Sequence, residues 1–115
     1  MAGMTAATHP PLPSRVWAAL STRDFTGLRA SGQARQTVAV LPVAAIEQHG
    51  PHLPLSVDAT LLQGVMDAAL PLLPAALPVL FLPPQVVGLS PEHIRFPGTL
   101  FFFSSRRRHT RLQGD

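Results

Sequence analysis

Three side chains in one loop have the types and spacing of metal ligands: Glu47, His49 and Asp58. Glu47 and His49 are two residues apart, and in extended backbone this spacing places both side chains on one face. Asp58 follows eleven residues after Glu47, at the predicted start of a helix. A carboxylate there is oriented by backbone N–H groups and can bridge two cations. The residues alone leave an alternative open, in which Glu47 and His49 are solvated loop residues and Asp58 only caps the helix.

Three further residues are weaker candidates for the same site. His52 lies three residues after His49, a spacing found in metal sites, but a hydrogen-bonded loop histidine fits the sequence equally well. Glu92 and His93 are adjacent and therefore point in different directions. Two such residues without further candidates beside them are also compatible with an exposed loop.

The elements that must position these residues follow the order strand, loop, helix, strand. Buried strands are predicted over 37–41 and 78–82, where short apolar runs end at prolines. A helix is predicted over 59–70, where apolar residues recur every three or four positions, with Asp58 as its N-cap. This order predicts an α/β fold with parallel-sheet βαβ layers, in which ligands bind at the carboxyl ends of the strands. Both candidate loops follow such ends.

Two short helices are predicted before the first strand. Ser14 can cap the first, which carries Trp17 as a predicted core residue, and Ser21 and Asp24 fit a capping box for the second. The long apolar stretch 70–87 is not predicted to cross a membrane, because five prolines would repeatedly remove helix hydrogen bonds.

Composition limits the number of domains and the kinds of function that the chain can have. The chain has 115 residues, 46% hydrophobic and 13% charged, which indicates one domain at most and excludes disorder caused by high charge. There is no cysteine, which excludes a thiolate nucleophile, Cys-ligated zinc and disulfides and agrees with a reducing, cytoplasmic location. Residues 1–100 hold five arginines and five acids, so the net charge of +3 comes from the last fifteen residues. No nucleic-acid-binding surface is therefore predicted for the body of the chain.

Composition also shifts at both ends of the chain. Residues 1–13 are proline-rich without an apolar signal sequence, and we expect a flexible leader. After Leu100 the sequence changes to three phenylalanines and an arginine-rich run without helical or strand periodicity. We therefore expect 101–115 to be a non-native tail and 14–100 to be the folded part.

Two ordered motifs resemble those of the creatininase (creatinine amidohydrolase) family. Residues 41–58 read LPVAAIEQHGPHLPLSVD, and residues 88–99 read GLSPEHIRFPGT. The resemblance covers roughly residues 36–100. Two blocks in the right order are far more specific than either block alone.

The resemblance implies a dinuclear metal hydrolase on an α/β fold with a parallel sheet. Glu47 would hold one divalent cation, zinc or manganese, His49 the other, and Asp58 would bridge both. A metal-activated water would then attack the C–N amide bond of a small cyclic amide, a formamide or a peptide end. His52, Glu92 and His93 would support the ligands or face the substrate. Family members assemble into homo-oligomers.

The family completes its site with a later His-rich segment that is not present here. We therefore expect 14–100 to be the N-terminal part of a creatininase-like domain, a truncated fragment that by itself is inactive and binds metal weakly. Two other functions remain open from the sequence. One is a non-catalytic binding module that uses the 47–58 loop, and the other is nucleic-acid attachment through the terminal arginines, which would be salt-sensitive.

Overall fold

Two parallel strands, β1 (Val38–Val40) and β2 (Val79–Phe81), form the sheet among residues 10–101, which a computed structural model of the chain describes. Ala39 lies opposite Leu80 at the centre of the register. Both strands are rich in β-branched and other large apolar residues, which favour the pleated backbone. The two strands predicted at these positions are confirmed, and with them the α/β class with parallel pairing.

Contacts within the chain define two compact units. The first consists of the chain up to Val40 together with Leu70–Pro83, and the second of Leu41–Ala69 together with the chain from Pro84 onward. The first unit contains the sheet, and the second contains every candidate ligand. Residues 1–9 of the predicted leader and 102–115 of the predicted non-native tail lie outside the described residues.

The two strands differ in burial because, among the described residues, only β2 has partners on both edges. The Phe81 N–H donates to the Arg15 carbonyl at 2.7 Å, and Val16 forms a parallel bridge to Phe81 on the edge away from β1. Leu80, in the centre of β2, is accordingly 2% exposed, whereas Val38 in β1 is 58% exposed. The prediction that both strands are buried is therefore wrong for β1, which lies at the edge.

Helix α1 (Thr22–Ala30) begins where its capping signal predicts. Ser21 Oγ accepts from the Asp24 N–H at 3.2 Å, and the Asp24 carboxylate accepts from the Ser21 N–H at 2.7 Å, which completes the capping box. The backbone hydrogen bond to Ser21 lowers the pKa of Asp24, with further lowering from the Ser21 hydroxyl. The chain leaves the helix through Gly32, whose φ of 78° is the left-handed conformation that glycine adopts without strain.

Removing the capping hydroxyl should weaken α1 measurably. We expect Ser21→Ala to lower the free energy of unfolding by about 1 kcal/mol, because the Asp24 N–H loses its acceptor. Chemical denaturation measures the change. Ser14→Ala, which removes a hydroxyl that accepts the Val16 N–H outside α1, serves as the control. An unchanged midpoint for Ser21→Ala would show that the capping box does not contribute to stability.

The segment before α1 forms a shorter element than the sequence indicates. Only Trp17–Ala19 is helical, as a single 3-10 turn, and Ser14 Oγ accepts from the N–H of Val16 just before it. Trp17 is 37% exposed, so its prediction as a core residue is wrong. Its ring instead packs at the surface against Phe25 of α1, with 4.5 Å between ring centroids.

Helix α2 (Val57–Ala69) begins earlier than predicted. Asp58 lies in its first turn and is not the N-cap. The Thr60 N–H donates to the Ser56 carbonyl, so the serine, a favoured N-cap type, stands at the start. The apolar side chains of α2 are not buried, and Val65 is 66% exposed. Within residues 10–101 no helix combines the length and the apolarity needed to cross a membrane.

Backbone hydrogen bonds connect the two loops of the second unit. Val43 and Gln85 form an isolated parallel bridge, and the Leu100 N–H donates to the Ile46 carbonyl at 2.8 Å. A Cβ atom on Gly88 would lie 2.9 Å from the Ala44 carbonyl oxygen, so only glycine permits this approach of the two loops. The loop after β1 is therefore held against the segment after β2, and both supply candidate ligands.

Candidate metal centre

The structure brings the three main candidates together. One ligand atom from each of Glu47, His49 and Asp58 lies within 4.8 Å of the other two. All three side chains are partly exposed, with 15%, 24% and 34% of their side-chain surfaces accessible for Glu47, His49 and Asp58 respectively. Two carboxylates and an imidazole at this separation form a mixed oxygen and nitrogen donor set suited to Zn²⁺ or Mn²⁺.

The backbone around these residues is fixed on several sides. The Glu47 N–H donates to the Leu55 carbonyl at 3.3 Å, which links the two ends of the loop. The next N–H, that of Gln48, donates to the Thr99 hydroxyl at 3.1 Å, and Thr99 is 2% exposed. Asp58 is held separately by the first turn of α2. Two independent elements therefore present the candidate ligands, so their approach does not depend on a single flexible loop.

His49 has the hydrogen-bonding pattern of a metal-ligating histidine. Its Nδ1 atom lies 3.0 Å from the Glu47 carbonyl oxygen, an acceptor, so Nδ1 carries a proton. In the neutral ring Nε2 then has a free lone pair, and it lies 3.2 Å from Asp58 Oδ1. Two acceptor atoms at this distance repel each other unless a proton or a cation lies between them. The donor set of the chain therefore fits a bound divalent cation.

The same contacts make His49 more basic than an ordinary histidine. The hydrogen bond to the Glu47 carbonyl raises the pKa of His49 above its usual 6.5, and the carboxylates of Asp58 and Glu47 raise it further, against a smaller opposing effect of desolvation. In the metal-free chain at pH values below this raised pKa, a proton on Nε2 therefore occupies the position between His49 and Asp58 that a cation would take.

This shift predicts a specific pH dependence of metal binding. A cation must displace the Nε2 proton, so we expect the affinity for Zn²⁺ to fall as the pH decreases through the raised pKa of His49, beginning above 6.5. The effect on folding has the opposite sign. The protonated ring stabilises the metal-free fold below 6.5, and this contribution is lost as the pH rises through the raised value.

Zinc titrations between about pH 6 and 8 measure the first effect. His52→Ala, which leaves the group intact, is expected to show the same profile. An affinity that does not change with pH in this range would show that His49 is not the proton-competing ligand.

Glu92 and His93 belong to a second group that also contains Glu47. His93 Nε2 lies 3.8 Å from the nearer carboxylate oxygen of Glu47 and 3.8 Å from that of Glu92. Both residues come from the 3-10 helix Pro91–His93, in the loop after β2. The sequence motif placed them in the same loop but gave no indication that Glu47 is shared between the two groups.

His52 is not part of either group. It is exposed, and its ring lies beside Gly50 at the turn of the loop. Two other residues, Gln48 and Thr99, were not predicted as site residues although the structure places both in contact with the site. Gln48 Nε2 lies 2.8 Å from His93 Nδ1, and Thr99 supports the Gln48 backbone. Uncharged polar side chains have no spacing signal, so only the fold reveals them.

With this fold and site, the chain belongs to the creatininase family. The family model described as creatinine amidohydrolase matches residues 21–105, which is most of the chain. The match includes both sequence motifs and every residue of the two groups. It confirms the family resemblance on which the sequence predictions depend.

The chain is similar in sequence to two relatives that share one name. The chain is 40% identical over 63 residues to the mycofactocin precursor peptide peptidase of Mycolicibacterium smegmatis, covering 53% of this chain and 26% of that protein. It is 40% identical over 67 residues to the protein of the same name from Mycobacterium tuberculosis, covering 53% of this chain and 27% of that one. The chain therefore spans about a quarter of the length of these relatives.

A solved structure of a creatininase variant is similar to this chain in fold. The TM-score is 0.54 at 28% sequence identity, over 75% of this chain and 33% of the creatininase chain. The likeness supports a creatininase-like α/β fold for the residues described.

Proposed function

We propose that Glu47, His49 and Asp58 are metal ligands of a metal-dependent amidohydrolase. The observation that carries the proposal is the free Nε2 lone pair of His49 facing the Asp58 carboxylate at 3.2 Å, with Glu47 completing the group. Each residue contributes one donor atom, and the donors come from two elements of the fold. As in the family resemblance, Glu47 would hold one cation, His49 the other, and Asp58 would lie between both.

The chemistry of this centre follows from its charge and geometry. When bound, the divalent cations would lower the pKa of a water molecule and polarise an amide carbonyl. Glu47 and Asp58 supply two negative charges that partly neutralise the cations. His49 supplies a neutral nitrogen donor whose orientation is fixed by its hydrogen bond to the Glu47 carbonyl. The chain thus orients the ligands before any metal arrives.

The substrate class is an amide with a C–N bond to be hydrolysed. The family name refers to creatinine, a small cyclic amide, whereas the mycobacterial relatives are named as peptidases of a peptide precursor. At 40% identity these relatives favour a peptide end over a small cyclic amide or a formamide. The partly exposed ligands are compatible with a substrate that enters from solvent.

Three ligands are too few for two cations, since each cation takes about four ligands in zinc enzymes. We therefore expect the 115-residue chain by itself to bind metal weakly and to show no turnover. We further propose that the protein acts in the cytoplasm as a homo-oligomer and does not bind nucleic acid. The chain contains no cysteine and so needs no oxidising compartment.

A chimera tests the activity. Residues 1–100 would be joined to the remaining C-terminal part of the M. smegmatis relative, and hydrolysis of that relative's peptide, a cyclic amide and an N-formyl amine would be compared. We expect metal-dependent cleavage that is lost in Asp58→Asn and retained in the matched control Asp67→Asn, whose exposed carboxylate accepts a hydrogen bond from Gln63 on α2. A chimera that binds the peptide equally well with and without metal, and does not cleave it, would favour the non-catalytic binding module.

A further inference from the structure

The two histidines of the site are held in opposite tautomers. His49 has its proton on Nδ1 and a free Nε2, as described above. His93 has the reverse arrangement, because its Nδ1 atom lies 2.8 Å from the Gln48 side-chain nitrogen, which is a donor. In the neutral ring the His93 proton is therefore on Nε2, the atom that faces Glu47 and Glu92.

This conclusion depends on which way the Gln48 amide points, and the backbone decides it. Gln48 Oε1 lies 3.0 Å from the Gly50 N–H, which can only donate. An amide rotated by 180° would place two donors against each other there and would also change the contact with His93. The Gln48 backbone N–H is in turn held by the buried Thr99 hydroxyl. Gln48 therefore presents a donor, and His93 Nδ1 accepts.

A ring with its proton on Nε2 has no lone pair there for a metal. The positive end of the Nε2–H bond instead faces two carboxylates, each at 3.8 Å, which is within electrostatic contact but longer than a direct hydrogen bond. The Glu47 side chain is 15% exposed and that of Glu92 is 65% exposed. Water screens Glu92 and solvates it directly, so the Nε2–H dipole acts mainly on Glu47.

We propose that His93 is a positioning residue that holds the Glu47 carboxylate toward the metal, and that Gln48 fixes the tautomer that this role requires. The inference rests on the proposed function of Glu47 as a ligand. It assigns the group of Glu47, Glu92 and His93 to the support of one centre, and not to a second metal site that the proximity of these side chains alone would indicate.

The tautomers can be read directly by NMR. In the ¹⁵N-histidine-labelled chain, long-range correlation spectra distinguish protonated from unprotonated ring nitrogens, with His52→Gln and His93→Gln used for assignment. We expect His93 to be protonated at Nε2 and His49 at Nδ1 in the metal-free chain when both rings are neutral. Addition of Zn²⁺ is expected to shift His49 Nε2 and to leave the His93 Nε2 proton in place. A His93 ring protonated at Nδ1, or a metal-bound His93 Nε2, would overturn the proposal.

A reversal of the hydrogen bond gives the second readout. Gln48→Glu replaces the donor with an acceptor, so we expect His93 to move its proton to Nδ1 and its Nε2 resonance to respond to Zn²⁺. The matched control Glu92→Gln is expected to leave the tautomer unchanged, because Glu92 is well exposed. If His93 in Gln48→Glu keeps the tautomer of the unmodified chain, Gln48 does not fix it and the proposal is wrong.

Metal affinity gives the third readout. We expect His93→Ala to weaken Zn²⁺ binding about tenfold or more, within the 10–100-fold range of groups that orient ligands, and His93→Gln to restore much of it with its side-chain N–H. A loss as large as that of His49→Ala would make His93 a ligand, and no loss would remove its role. If the tautomers are as expected but no variant affects metal binding, the proposed function of Glu47 fails and the tautomer assignment stands.

Discussion

Replacing His49 with alanine is expected to lower the affinity of the chain for Zn²⁺ by more than about 100-fold. Groups that only orient a ligand typically contribute 10–100-fold, and His49 would contribute the bond itself. Its Nε2 atom is the only nitrogen donor of the first group, and the two remaining carboxylates would be left to bind the cation alone. Isothermal titration of the chimera described above with Zn²⁺ and with Mn²⁺ measures the loss, because the chain by itself is expected to bind metal weakly.

His52→Ala is the matched control, because it removes the same side chain three residues away in the same loop. His52 is exposed and lies outside both groups, so metal affinity should stay within about twofold of the unmodified chain. Equal losses in both variants would show that either substitution disrupts the fold of the loop and that His49 has no specific role as a ligand. Complete loss in His52→Ala alone would make His52 the ligand.

Leu80→Ala is expected to produce the largest loss of stability, about 2–5 kcal/mol of the free energy of unfolding. Leu80 is 2% exposed in the central strand of its unit, and its removal leaves a cavity that the surrounding strands cannot fill. A loss of this size is a large fraction of the total stability of a small domain. Urea denaturation monitored by circular dichroism measures it.

Val38→Ala is the control for this variant. Val38 lies in the same sheet, but 58% of it is exposed, so we expect a loss below about 1 kcal/mol. Equal losses for the two variants would show that β1 is covered in solution and that its edge position does not explain the burial difference.

The positions of the candidate ligands could be predicted because they depend on short-range rules. A two-residue spacing between Glu47 and His49 in extended backbone, and a carboxylate at the start of a helix, require only local geometry. The predicted start of α2 is two residues late, because Ser56 is as favoured an N-cap type as Asp58 and the helix begins directly after the serine. Even so, Asp58 remains in the first turn, where its side chain reaches His49.

The rest of the site depends on contacts that are distant in sequence. The hydrogen bonds from Gln48 to His93 and to Thr99 join residues 45 and 51 positions apart. Sequence periodicity does not reveal contacts between residues so far apart. A glutamine between two candidate ligands is also not a residue type that by itself indicates a functional site. The greater burial of β2 than of β1 likewise depends on a distant residue, Val16, which forms a bridge to Phe81. The sequence patterns did not predict a bridge from that segment.

The central claim, that Glu47, His49 and Asp58 together bind a divalent cation, is tested most directly by anomalous diffraction from a crystal of the chain soaked in Zn²⁺. The account predicts one peak about 2.0–2.2 Å from His49 Nε2 and an Asp58 oxygen, and a second about 2.0–2.2 Å from an oxygen of Glu47 and an oxygen of Asp58. A peak on His52 or between Glu92 and His93, with none at the three predicted ligands, would contradict it.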